Sequence, residues 1–466
     1  MAVASGALYW SAFPPHALWP LAFVAWVPLL VAVRGRSTGR ALFLGWLHGL
    51  TLFGAAPWLF DVARALADGD ARVGALGAAA FVALHALRPA LLCAALVRAE
   101  RLGWGLPFAF PILHAASEAF FPAALPWYAA SQVSAAPVFM QGAAWVGAIG
   151  VGALLAAVNA LLATALLAAR DGLSWRPPAF AAASVVVTMV VAGALHLHAI
   201  DARLATAEEA RVALVQPNGE RGGSSRDATL ERALRLTRSL SEAPSLVVWP
   251  ETVLPEALDG ANLTAWWSRR VTRDGARPLP SPVVAGALVK HANEQRAISV
   301  TNSALLFDAD GRAAGEYDKR HPVAFGERIP FGDRFPILAR WFPRVGRIDA
   351  GATNASLAVG GHRVTPLICY EDLVPDLADE AAQGSDLLVN LTDDGWFGRS
   401  SAWEDHLAAA RYRAVEHGRF LIRAGNQSGT AVIDPAGRLV QTIAPYTSGV
   451  LEAKVRWLPE GAPYER

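Results

Sequence analysis

The strongest chemical signal in this chain is a thiol delivered by a short apolar run. Val364-Thr-Pro-Leu-Ile-Cys369-Tyr370-Glu371-Asp372 reads as a buried strand that ends where polarity returns. A cysteine at a strand end can expose its sulfur on a turn and aim the next N–H, that of Tyr370, at a reacting carbonyl. The plainer reading of the same residues is a buried core cysteine. Two further groups stand at strand ends upstream. Ser245-Leu-Val-Val-Trp249-Pro250-Glu251-Thr252 runs from a buried strand into a Pro-Glu turn, so Glu251 either lies where α/β folds place chemistry or caps the turn. Lys319 follows a hairpin marked by Asp308-Ala-Asp310-Gly311 and precedes a Pro-broken loop. Its neighbours Arg320 and His321 read as a solvated face, whereas Lys319 can enter a pocket. Together the three divide the work of a nucleophilic reaction. The carboxylate takes the thiol proton, and the ammonium favours negative charge on sulfur and on the oxyanion that follows.

The elements that must position these groups differ sharply along the chain. Of 466 residues 53% are hydrophobic and 17% charged, and the apolar excess is concentrated before about residue 200. From about Arg211 short β-branched runs alternate with helical stretches, an α/β pattern. The expected organisation is a membrane helical domain over 1–200, a catalytic α/β domain over 205–456 and a short tail over 457–466. A net charge of +1 provides no basic field for nucleic acid. The two cysteines, Cys93 and Cys369, exclude a disulfide framework. The histidines lack metal-ligand spacing, so neither a metal nor another cofactor is expected.

Hydrophobic stretches run from about residue 1 to 13, 18 to 33, 41 to 65, 73 to 97, 104 to 121, 143 to 169 and 178 to 197, about seven segments of which the first is short. Arg34, Arg36 and Arg40 lie in one connecting loop, Arg98 and Arg101 in another, Arg170 and Arg176 in a third. The intervening loops hold only Arg64 and Arg72. Because arginine is retained on the cytoplasmic side, this spacing puts the α/β half outside the cytoplasm. Within the spans, Arg88 and Glu118 are costly unless paired. Arg88 reads as snorkelling or locally paired, with a lipid headgroup contact as the alternative. Trp127 and Tyr128, in a Pro-broken segment, read as interfacial anchors or as part of a lipid-facing entrance.

Trp-Pro-Glu251, Tyr-Asp-Lys319 followed by Phe-Gly-Glu327-Arg-Ile-Pro, and Ile-Cys369-Tyr-Glu371 resemble the nitrilase, or carbon-nitrogen hydrolase, superfamily. With the multi-span half ahead of them, and with Leu-Trp19-Pro, Leu-Pro-Trp127, Thr-Asn302-Ser and Trp396-Phe-Gly398, the chain resembles the bacterial apolipoprotein N-acyltransferases along nearly its whole length. That resemblance implies an αββα sandwich on the periplasmic face of the inner membrane, a Glu251, Lys319, Cys369 triad, and a thioester formed on Cys369. The acyl donor it implies is a phospholipid, expected to be phosphatidylethanolamine. The acceptor is the N-terminal amine of a diacylated apolipoprotein, and the enzyme is a monomer in the lipid bilayer. By the same resemblance Glu327 orients Lys319, Glu371 supports the cysteine turn, Asn302 lines the site, Tyr370 supplies an oxyanion donor, and Trp127, Phe325 and Trp396 border the lipid entrance. The chain departs from the family pattern in its short first helix, in Glu220-Arg-Gly-Gly-Ser-Ser-Arg226 where a Trp beside a Lys is common, and in lacking a hydrophobic segment after the α/β half. A membrane-tethered amidase that passes its acyl group to water would share every reactive residue, and a transporter or receptor with an inert external domain would need none of them.

Overall fold

Backbone N–H and C=O groups in hydrocarbon must be satisfied within the chain, so apolar stretches of this length fold as helices. The computed structural model describes all residues except 57, 67–69, 124, 221–224, 272–278, 280, 293–297, 330, 333, 336, 338–346, 460 and 466, and excepting also the side chains of 65, 66, 225, 226, 396 and 465. It forms two compact units, Met1–Ala202 with Ser400–Glu416 and Arg203–Arg399 with His417–Arg466.

In the first unit every hydrophobic stretch is at least partly helical. Among the described residues three helices are long and apolar enough to cross a membrane, Ala71–Arg101, Ala143–Arg170 and Arg176–Thr206, or four if Thr38–Gly54 and Trp58–Arg64 count as one bent span. The first two stretches form shorter pieces, Ala2–Ser11, Trp19–Phe23 and Val27–Val33. Proline is the reason: Pro20 and Pro28 occupy first turns, where a missing N–H costs nothing but a preceding helix cannot run through. Arg88 is locally paired, lying 3.5 Å from Glu118 and donating to the Trp127 carbonyl at 2.9 Å. Glu118 also accepts the Ala129 N–H at 2.7 Å, so the pair pins the segment that follows Trp127.

A segment from the distal half belongs to this unit. Helix Ala402–His417 brings Glu416 to the N–H of Ala148, 2.6 Å away. Ala148 follows Gly147, whose φ of 66° and ψ of 175° interrupt helix Ala143–Arg170 and release that N–H. Such a conformation is open essentially only to glycine. Arg413, itself buried, pairs with Glu416 at 2.8 Å.

The second unit is an α/β sandwich. Its first sheet contains β1 (Glu209–Gln216), β2 (Leu246–Val248), β3 (Ala257–Asp259), β4 (Val283–Ala292), β5 (Ile298–Phe307) and β6 (Ala313–Asp318). Its second sheet contains β7 (Leu357–Val359), β8 (His362–Ile368), β9 (Leu387–Thr392), β10 (Leu421–Gly425), β11 (Ala431–Ile433) and β12 (Leu439–Thr442). A last strand, β13 (Gly449–Arg456), returns to pair antiparallel with β1. Among the described residues the orders are β13-β1-β2-β4-β5-β6, with β3 beside β4, and β12-β11-β10-β9-β8-β7.

Period-two alternation sorts the side chains of the first sheet. Val212, Leu214, Val248 and Val284 face the second sheet and meet Val364, Ile368, Val389 and Ile422. Ala213, Val215, Val247 and Ala285 face the other way, against Leu230 and Leu234 of Ser225–Arg238 and Trp266 and Trp267 of Leu263–Val271. Helix Pro375–Ala382 packs on β8 and β9 of the second sheet. The sandwich matches the expected αββα class; β3, β7 and β13 are strands that the composition had not marked.

Candidate active site

Each of the three candidate groups leaves the fold at the end of a strand. Glu251 lies three residues beyond β2, in a turn where Thr252 has a φ of 47°. That turn rests on Gly286 of β4, whose N–H donates to the Pro250 carbonyl at 3.1 Å. A Cβ at Gly286 would lie 2.5 Å from the Glu251 Cα, so the contact requires glycine. Lys319 follows β6 directly, and its N–H extends the ladder to the Asn302 carbonyl of β5 at 2.7 Å. Cys369 follows β8 and opens a short helical turn, Cys369–Leu373, with its own φ at 51°. A left-handed residue at a strand-to-helix junction is the strained geometry that lifts a side chain out of the sheet.

The three converge. Lys319 Nζ is 3.2 Å from Glu251 Oε1 and 2.8 Å from Glu327 Oε2. Asn302 Nδ2 bridges the same two carboxylates at 2.8 Å each. The Asp393 N–H holds the other Glu251 oxygen at 2.9 Å, and the Val323 N–H holds Glu327 at 2.7 Å. Lys319 is 1% exposed and Glu251 6%, so this is a desolvated ion cluster. Such a cluster is tolerable only because each charge has an opposite partner and hydrogen bonds.

Glu371 is wholly buried and accepts four hydrogen bonds. They come from the N–H groups of Ile368 (2.7 Å), Arg320 (2.6 Å) and His321 (3.1 Å) and from the Tyr317 hydroxyl (2.9 Å). It thereby ties the cysteine turn to the chain just after Lys319. Asn390 of β9 donates to the Cys369 carbonyl at 3.0 Å. Tyr370 packs beside the core between the sheets.

Burial pushes the Cys369 thiol well above its ordinary value; the Glu251 and Asp394 carboxylates push the same way, and Lys319 and a hydrogen bond with Thr392 oppose them. Burial alone would make Lys319 less basic, but Glu251, Glu327 and the Cys369 sulfur more than reverse this, so the ammonium keeps its charge. Burial also raises the Glu371 carboxyl, against its hydrogen bonds and Lys319. These surroundings favour the neutral thiol at Cys369 and the charged ammonium at Lys319.

Of the sequence-predicted residues, Glu251, Lys319, Cys369, Glu327 and Asn302 gather in one place, with Glu371 and Tyr370 behind the turn. Phe325 is exposed, at a φ of 61°, on the loop that carries Glu327. Trp127 sits in the first unit, packed edge-on against Trp10, Phe13 and Phe53. Trp396 lies in the turn Asp394–Phe397, and its side chain is outside those described. Sequence reasoning missed Gly286, Asp393 and Asn390; the polar Asn390 inside the apolar run of β9 was the available signal. Away from this cluster, His291 lies 3.4 Å from Glu316 and 3.7 Å from Asp318, a half-exposed group close enough to share a cation. His291 Nε2 is already hydrogen-bonded to Thr301.

Comparison with known proteins agrees with this architecture. Residues 211–457 match the carbon-nitrogen hydrolase family, and residues 5–161 match the apolipoprotein N-acyltransferase N-terminal domain. Apolipoprotein N-acyltransferase of Geobacter metallireducens is 31% identical over 100% of this chain and 90% of its own length. The protein of the same name from Azotobacter vinelandii is 32% identical over 100% and 90%. Among solved structures, the CN-hydrolase superfamily protein XC1258 from Xanthomonas campestris is 20% identical, covers 53% of this chain and 91% of its own, and aligns with a TM-score of 0.37. From its helical unit through its α/β sandwich, the chain belongs to the apolipoprotein N-acyltransferase family, with a carbon-nitrogen hydrolase domain as its distal half.

Proposed function

We propose that this enzyme transfers an acyl chain from a phospholipid to the N-terminal amine of a diacylglyceryl-cysteine, in two steps through a thioester on Cys369. Glu251 takes the thiol proton as sulfur attacks the donor's ester carbonyl, with phosphatidylethanolamine as the donor. Lys319 and the Tyr370 N–H hold the oxyanion. The lysophospholipid leaves with the proton from Glu251, and the thioester remains. The acceptor amine then attacks the thioester, gives its proton to Glu251, and regenerates the thiol. Glu327 and Asn302 fix Lys319 and Glu251, and Glu371 holds the cysteine turn.

The observation that carries this reading is the convergence of Lys319 and Glu251 at 3.2 Å in a buried cluster where the Cys369 sulfur feels both charges. Phe325, Phe331, Phe335 and Ile337 are exposed on one segment of the α/β unit, an apolar surface suited to lipid. They form the proposed entrance for acyl chains. Arg34 pairs with Glu100, and Arg101 donates to the Arg36 carbonyl at 3.2 Å, so two of the arginine-bearing loops lie together. Their shared side supports a cytoplasmic assignment for them and a periplasmic one for the catalytic unit of this inner-membrane protein.

The test is intact-mass analysis after incubation with phospholipid, then with a diacylated lipopeptide. The wild type gains one acyl mass and loses it to the lipopeptide, and Cys369→Ala gains none. Acyl loss that proceeds equally fast without lipopeptide would make the protein a hydrolase; a wild type that never gains mass would overturn the thioester.

A further inference from the structure

Arg423 is the least expected charge in the α/β unit. It lies on β10, in the middle of the second sheet, with a fully buried side chain and no place in the proton and acyl transfers above. Its guanidinium forks onto two carboxylates from different parts of the site. One Nη donates to Asp372 at 2.7 Å and the other to Asp394 at 2.8 Å, and both acids are as buried as the arginine. A guanidinium is the cation suited to this geometry, since its planar fork holds two acceptors at set angles and cannot lose its proton.

The two acids belong to the two segments whose spacing matters most. Asp372 is in the turn Cys369–Leu373. Asp394 opens the turn Asp394–Phe397, one residue after the Asp393 N–H that holds Glu251. Asp394 is also held from its own strand by the Thr392 hydroxyl at 3.2 Å. The loop at the end of β10 joins the same assembly, because Asn426 Nδ2 donates to the Asp393 carboxylate at 3.3 Å.

We propose that Arg423 is a positioning residue that locks the cysteine turn to the segment carrying the Glu251-holding N–H, and that it cancels the negative charge of Asp394 beside the sulfur. The charged groups facing Cys369 are Glu251 from the turn after β2, Lys319 from the end of β6, Asp394 from the turn after β9, and Arg423 from β10. Asp394 opposes thiolate formation, and Arg423 faces both Asp394 and the sulfur. Without the arginine, sulfur would have to ionise beside a carboxylate that has lost its guanidinium. This proposal rests on Cys369 being the nucleophile, but its test does not need the acyl substrates.

The experiment follows alkylation of Cys369 by iodoacetamide against pH, in full-length detergent-solubilised protein carrying Cys93→Ala so that one thiol remains. Alkylation forms a thioether and releases iodide and the thiol proton, so its rate reports the thiolate. Arg423→Gln is expected to move the midpoint upward and to slow alkylation at neutral pH by about tenfold or more, since one unit of pKa is a factor of ten. Asp394→Asn moves the midpoint downward, and the double variant Arg423→Gln with Asp394→Asn returns to within about threefold of the parent rate. Equal midpoints in the parent and both single variants would overturn the proposal, as would a double variant no faster than Arg423→Gln. If Arg423→Gln does not fold, Asp394→Asn decides alone: an unmoved or raised midpoint refutes the charge-cancelling role. Acyl-enzyme formation is measured alongside. The expected alkylation pattern without any acyl-enzyme in the parent would sink the acyl-transfer reading while leaving Arg423 in its role.

Discussion

At Cys369 the surroundings oppose the reactive form. Burial and the Glu251 and Asp394 carboxylates keep the thiol protonated at neutral pH, with Lys319 the opposing charge. In the proposed mechanism thiolate forms only as Glu251 receives the proton, which would protect sulfur from adventitious electrophiles between turnovers. Glu251→Gln separates the two effects of that carboxylate. Removing its negative charge should lower the pH midpoint of Cys369 alkylation and raise the rate at neutral pH by about tenfold. The same variant, lacking the proposed base, should form acyl-enzyme more than about a hundredfold more slowly by mass spectrometry. Slower alkylation in Glu251→Gln would show that Glu251 does not act on the sulfur electrostatically. These candidate groups stand out in the sequence because Trp-Pro-Glu251, Tyr-Asp-Lys319 and Ile-Cys369-Tyr-Glu371 each place a charged or nucleophilic residue where a buried strand ends.

At the level of elements, the site depends on backbone approaching backbone. The turn that carries Glu251 lies on β4 with no room for a side chain between them, since Gly286 donates to Pro250 and accepts from the Leu254 N–H at 3.2 Å. Gly286→Ala should displace Glu251 from Lys319 and slow acyl-enzyme formation by about a hundredfold, as expected for a displacement near 1 Å. Circular dichroism should remain that of a folded protein, and a Gly286→Ala rate within about threefold of wild type would show that the contact is dispensable. Strands built on short apolar runs, such as Val283-Val-Ala-Gly-Ala-Leu288 within β4, were evident from the sequence. β13 was not, because it owes its strand state to pairing with β1 across more than two hundred residues of chain, Val212 opposite Ala453. Its own residues do alternate, with Leu451, Ala453 and Val455 buried between exposed Glu452 and Lys454, but that period does not name the partner strand.

On the scale of the whole molecule, the path of the chain and its division into units differ. Residues 400–416 lie between two parts of the α/β half in sequence yet belong with the helical unit in space. The bond from the Ala148 N–H to Glu416, the buried pair of Glu416 with Arg413 and the bond from the Tyr412 hydroxyl to the Ala130 carbonyl are among the contacts that hold it there. Glu416→Ala leaves Arg413 buried without that carboxylate and the Ala148 N–H without its acceptor. The expected cost is about 3–5 kcal/mol, seen as a lowered unfolding midpoint in detergent. Asp171→Ala, at the exposed Arg170 pair, should leave the midpoint unchanged. Equal midpoints for the two variants would mean that the crossing helix contributes nothing to stability.

What the amino-acid sequence determined by itself is whatever local pattern and residue chemistry encode: helices where hydrocarbon forbids open backbone, strands where β-branched residues run on, and a carboxylate, an ammonium and a thiol at strand ends. Only the tertiary structure decided how those groups are held. The fork of Arg423 onto Asp372 and Asp394, the glycine beneath Glu251, and the helix lent to the other unit all join residues far apart in the chain. Their partners are selected by burial, because a charge or N–H removed from water must find a complement wherever the fold brings one within reach.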